Sequence, residues 1–109
     1  MADTLGLFNQ IILDGTIQTL YTIPTGHTLV PKTMSFTSIT SDMPNVTVWF
    51  VASGDSEGNK NIVLNKKIVN PTDTVFFNSD MYLQAGFVIK VQVSIANSCN
   101  AQLSGVDMS

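Results

Sequence analysis

Residues able to carry chemistry are few: one histidine, His27, one cysteine, Cys99, and eight carboxylates spread along 109 residues. A hydrolase or transferase needs a nucleophile, a base and a group that orients the base, all within hydrogen-bond reach. His27 directly follows Gly26 in "YTIPTGHTLVPK", Tyr21 to Lys32, where a Pro-Thr-Gly turn separates two strand-like runs. Turn chemistry accounts for it as a scaffold corner: Pro24 fixes φ, Gly26 supplies a conformation other residues resist, and His27 starts the next strand. Cys99 lies in "NSCNAQ" with no histidine near it in sequence. An isolated free cysteine usually behaves as a small, inert hydrophobe.

Paired carboxylates could serve glycoside cleavage, but Asp14, Asp42, Asp55, Glu57, Asp73, Asp80 and Asp107 fall mostly in turn segments. The stretch Asp55-Ser56-Glu57-Gly58-Asn59 resembles the start of a calcium loop, yet its glycine is misplaced and Lys66 stands where the distal acid belongs. One His and one Cys cannot complete a tetrahedral zinc site within a chain. No catalytic residue, metal or cofactor is expected, and the chain reads as a non-enzyme. Trp49, Tyr21 and Tyr82 could form an aromatic platform for a sugar, although core packing accounts for most such rings.

Composition narrows the classes further. A chain of this length forms one domain and buries roughly two-thirds of its unfolded surface, which leaves little room for a deep cleft. Charged residues make up only 12% of it, so much of the surface falls to Thr, Ser, Asn and Gln. Neutral polar groups lose their water far more cheaply than ions do, which favours burial against another protein. Net charge is −3 and all five basic residues are lysines. Without arginine forks or a basic cluster, a nucleic-acid partner is not expected. No apolar run is long enough to span a bilayer, and the N-terminus lacks the features of a secretion signal, so the expected place of synthesis is the cytoplasm. A lone cysteine leaves stability to packing or oligomerisation.

The elements that must position these residues are strands. "FVIKVQVSI" alternates strictly, with Phe87, Ile89, Val91, Val93 and Ile95 on one face and Lys90, Gln92 and Ser94 on the other. Around Trp49, both the Val46, Val48, Phe50 set and the Thr47, Trp49, Val51 set carry apolar residues, which predicts a central or interfacial strand. Further strands are expected at Gln10 to Leu13, Ile17 to Ile23, Thr28 to Ile39, Asn61 to Val69, Thr74 to Phe77 and Ala101 to Asp107, divided by Gly-, Pro-, Asn- and Asp-rich turns. About eight strands predict an all-β, antiparallel β-sandwich or jelly-roll-like domain over residues 10–109. In Thr28 to Ile39 the apolar phase shifts from even positions to Ile39, which predicts a bulge near Thr37 or Ser38. Residues 1–9 carry Leu5, Leu7 and Phe8 without a hairpin partner nearby. They read either as an edge strand of the chain's own sheet or as an arm on a neighbouring subunit.

Two stretches, Thr19 to Thr40 and Met81 to Met108, resemble small β-sandwich virion proteins of tailed bacteriophages. The resemblance is carried by Leu20-Tyr21-Thr22-Ile23-Pro24, Gly26, Leu83, Gly86, Ile89, Val91 and Gly105. Thr25 and His27 depart from the usual alanine or serine and the usual basic residue, without harm to the turn. The resemblance implies a capsid decoration, or cement, protein on the outer head surface, assembled as a symmetric oligomer such as a trimer and bound to the major capsid protein. Leu5, Leu7, Phe8 and Trp49 are the expected interface residues. The alternatives are a neck, tail or fibre component and a carbohydrate-binding β-sandwich module.

Overall fold

The computed structural model describes residues 3–79 and 81–108. Eight strands follow one another: β1 (Asp3–Ile12), β2 (Gln18–Thr22), β3 (Thr28–Ser38), β4 (Asn45–Val51), β5 (Ile62–Ile68), β6 (Thr74–Asn78), β7 (Val88–Val93) and β8 (Cys99–Met108), with one 3-10 turn at Asn59–Asn61 before β5. The chain pairs like one long hairpin folded over on itself: β1 with β8, β2 with β7, β3 with β6, and β4 with β5, every pair antiparallel. Two further pairings, β3 with β8 and β4 with β7, stitch these into four-stranded sheets ordered β1-β8-β3-β6 and β2-β7-β4-β5. This is a jelly roll, the all-β sandwich expected from the strand count, with the strand order now fixed.

Alternation decides which way each strand faces. Ile89, Val91 and Val93 of β7 are buried, as are Val46, Val48 and Phe50 of β4, while Met34, Phe36, Ala101 and Leu103 supply the opposing layer from β3 and β8. Phe36 is fully enclosed, and the Phe50 and Phe77 rings sit with centroids 6.4 Å apart across the two sheets. Each such side chain contributes about 1.5–3 kcal/mol by leaving water. Ile95 departs from the expected face: β7 ends at Val93, and Ile95 is exposed in the turn that follows.

The irregularity in β3 lies elsewhere than the phase shift suggests. Register on β8 shifts between Val30 and Thr33, so Pro31 and Lys32 together oppose Gly105, whereas Thr37 and Ser38 stay in register with Asn100 and Cys99. Ile39 lies beyond the strand end and is exposed, so it never joined the inward phase. Placing the bulge at Pro31 makes physical sense, because proline has no N–H to give to a central ladder. Gly105 fits there because a side chain would strike the bulged backbone: a Cβ at that position would sit 2.1 Å from the Val30 carbonyl oxygen.

At the N-terminus, β1 runs unbroken from Asp3 across the expected boundary between residues 9 and 10 and pairs with β8 of its own chain. Of the two readings open for residues 1–9, the described part, from Asp3 on, takes the edge strand. Its register shifts between Leu7 and Asn9, leaving Phe8 as the extra residue, and Phe8 packs against the core with its ring 5.7 Å from that of Tyr21.

Candidate functional site

His27 sits at the corner the sequence describes. Its N–H donates to the Pro24 carbonyl at 3.1 Å, closing the turn, and Gly26 takes φ +81 there. Its ring does something that local sequence does not announce: Nδ1 donates to Asp107 Oδ1 at 2.7 Å, tying the β2–β3 corner to the far end of β8. Asp107 is largely buried. Tyr21 completes the cluster, its hydroxyl pKa raised by burial and by the Asp107 charge. This pair closes one end of the sandwich. Cys99 is sealed in the core, where burial pushes its thiol pKa up to about 11 and keeps it protonated and unreactive. Among the described residues, no three His, Cys, Asp or Glu side chains gather in one place.

Trp49 lies on the outer face of the β2-β7-β4-β5 sheet, as the two-sided strand suggests, yet it is only 8% exposed. Residues of the β4–β5 connection cover it: Glu57, Gly58 and Asn59 share a groove of about 460 Å³ with Trp49, Thr47 and Ile62. Lys90, directly opposite Trp49 in the β4–β7 register, grips that connection through Glu57 Oε1 at 3.1 Å, and Lys60 holds Asp55 at 2.9 Å. Each lysine hydrogen-bonds to its carboxylate and holds it below the usual pKa range. In the monomer the indole is therefore a covered ring, unavailable for stacking against a sugar. Tyr82, at 69% exposure, is the open ring.

The outer face of the other sheet, β1-β8-β3-β6, differs from everything else on the molecule. Three transverse rows cross all four strands. The first is Phe76, Ser35, Gln102 and Gln10; the second is Thr74, Thr37, Asn100 and Ile12; the third is Asn78, Thr33, Ser104 and Leu7. No position in these rows is charged. Phe76, Ile12 and Leu7 stand exposed at the two margins, and the centre is hydroxyl and amide. The polar groups partly satisfy one another: Thr37 and Thr74 hydroxyls lie 2.9 Å apart, Thr33 Oγ1 donates to Asn78 Oδ1, and Ser104 Oγ donates to the Thr33 carbonyl. One does not. Asn100 Oδ1 is shielded from solvent with no hydrogen-bond partner among the described residues, and Asn100 lines a shallow hollow of about 170 Å³ with Gln10, Ile12 and Gln102.

Of the expected interface residues, Leu7 lies on this face, Phe8 turns inward to the core, and Trp49 sits on the opposite sheet under its own loop. Leu5 stands opposite Val106 in register; its side chain lies outside the described residues. No protein-family model and no curated protein matches this chain. Sequence reading found the neutral, hydroxyl-rich character of the surface without locating it. Period-two polar positions in β3, β6 and β8 carried that signal, but four strands far apart in sequence had to be set side by side before they became one face.

Proposed function

We propose that the chain is a non-enzymatic structural protein of a bacteriophage virion, a capsid decoration protein that lies against the outer head surface. The observation that carries this reading is the block of three charge-free rows across β1-β8-β3-β6, which can be desolvated against a protein partner without stripping water from ions. Jelly rolls serve in viral capsid and lectin domains, so the fold supports the reading by analogy. In this reading the major capsid protein is the partner, and oligomerisation multiplies a modest contact into firm attachment. The covered state of Trp49 weighs against a carbohydrate-binding module built on that ring. A neck, tail or fibre component shares the same face chemistry and differs only in where the protein sits.

Co-sedimentation with phage heads stripped of accessory proteins tests the proposal. Ser35 lies in the middle of the face, between Phe76 and Gln102, so Ser35→Lys places an ion at the centre of the contact. The parent chain is expected to pellet with heads and Ser35→Lys to stay in the supernatant. A parent chain that ignores heads but binds tails moves the assignment to the tail; a Ser35→Lys variant that pellets like the parent rejects this face as the contact.

A further inference from the structure

Four strands lie at sheet edges, β1 and β6 in one sheet and β2 and β5 in the other. An edge presents a row of unpaired backbone N–H and C=O groups, and natural proteins blunt such edges with bulges, charges or prolines unless the edge is used. Three of the four are blunted here. β1 carries a bulge at Phe8, with Asp3 at its start; β2 has a register shift between Thr19 and Tyr21; β5 carries Lys66 and Lys67 and two register shifts against β4. β6 alone has neither: Thr74-Val75-Phe76-Phe77-Asn78 pairs with β3 in unbroken register and contains no charge and no proline. Its central residue, Phe76, is 64% exposed, and the chain leaving it keeps Met81 and Tyr82 exposed before Leu83 bridges back to Leu29 of β3 on the same edge.

From this contrast we propose that β6 is a self-association edge, through which two copies of the chain pair antiparallel about a two-fold axis at Phe76. The strand is self-complementary in that arrangement. Phe76 meets its own copy, Val75 meets Phe77, and Thr74 meets Asn78, a hydroxyl-to-amide pairing of the kind β3 already makes with Asn78. The partner is a second copy rather than a foreign strand because every cross-pair matches in class and no like charges meet, although the chain as a whole carries −3. Such a contact is isologous and closes at two subunits. It joins the two β1-β8-β3-β6 sheets into one eight-stranded sheet and doubles the block of charge-free rows. The inference rests on the edges alone and stands whatever particle the protein serves.

Oxidative crosslinking together with solution mass tests it. Across an antiparallel pair, directly opposed Cα atoms lie about 4.5–5.5 Å apart, which a disulfide can bridge. Phe76→Cys is expected to crosslink to a disulfide-linked dimer under mild oxidation, while Leu7→Cys, on the opposite edge, and the parent chain, whose Cys99 is buried, remain single chains. Light scattering is expected to give twice the 11.8 kDa chain mass for the parent and a single chain mass for Phe76→Lys, with unchanged Trp49 fluorescence showing that the variant folds. A monomeric parent at tens of micromolar, a trimer that survives Phe76→Lys, or equal crosslinking from position 7 would overturn the proposal.

Discussion

Gly105 offers the most direct test of how β3 and β8 meet. Because Pro31 and Lys32 share this one opposing residue, the bulged backbone folds toward β8 at that point. A methyl group on Gly105 would lie 2.1 Å from the Val30 carbonyl oxygen, 3.0 Å from Lys32 N and 3.1 Å from Pro31 Cα. All three are main-chain atoms, and β8 is flanked on its other side by β1, with Gly6 opposite Gly105. Carbon and oxygen tolerate about 3.3 Å, so Gly105→Ala must push the strands apart by roughly 1 Å. Ordinary overpacking costs about 1–3 kcal/mol, and opening the ladder here adds one or two hydrogen bonds at about 1 kcal/mol each. The expected loss is about 4 kcal/mol, a large share of the stability of a domain this size. Urea unfolding followed through Trp49, the single tryptophan, reads this out as a midpoint lower by about 2 M, taking a slope of about 2 kcal/mol/M. Gly58→Ala is the control: its φ is −175 and a Cβ there would meet nothing within 4 Å, so its midpoint should hold. A Gly105→Ala midpoint within about 0.3 M of the parent would show that the bulge does not press on β8 and would refute the argument.

Three further outcomes follow from the ion pairs and the buried thiol. His27→Ala should lower stability by about 1–3 kcal/mol at neutral pH, because it strips the largely buried Asp107 of its partner; Asp107→Asn in the same background should recover part of the loss, and strictly additive losses would refute the coupling. The Cys99 thiol is raised by burial to about 11, so the folded chain holds a proton that the unfolded chain gives up at lower pH. Its contribution is fully present below about pH 8.5 and is lost as pH rises through 11, so the stability gap between the parent and Cys99→Ala should shift by roughly 3 kcal/mol over that range. Glu57 is depressed by its hydrogen bond to Lys90, so the contact exists above the carboxylate range and disappears as pH falls through it; acrylamide quenching of Trp49 should rise at low pH, and at neutral pH in Glu57→Gln, and a quenching curve flat in pH would rule out the ion pair as the clasp.

The sequence by itself determined the strands and their facing. Period-two runs such as Val88 to Val93 place apolar side chains on one side whatever the partner, and turn residues such as Pro24 and Gly26 end strands through local backbone geometry alone. Seven of the eight strands were legible for that reason, and β1 only over its last residues, Gln10 to Ile12. What tertiary structure decided is everything that depends on neighbours distant in sequence. It set the jelly-roll order, drew the N-terminal residues into an edge strand on β8, moved the bulge to Pro31 where Gly105 leaves room, and brought Asp107 to His27 across 80 positions. It also gathered Ser35, Thr37, Phe76, Asn100 and Gln102 from three strands into a face without charge and left β6 as the one unguarded edge. Periodicity states which side of a strand is polar, but pairing and register alone state which strands lie beside it, so a surface made by four of them exists only once the sheet has formed.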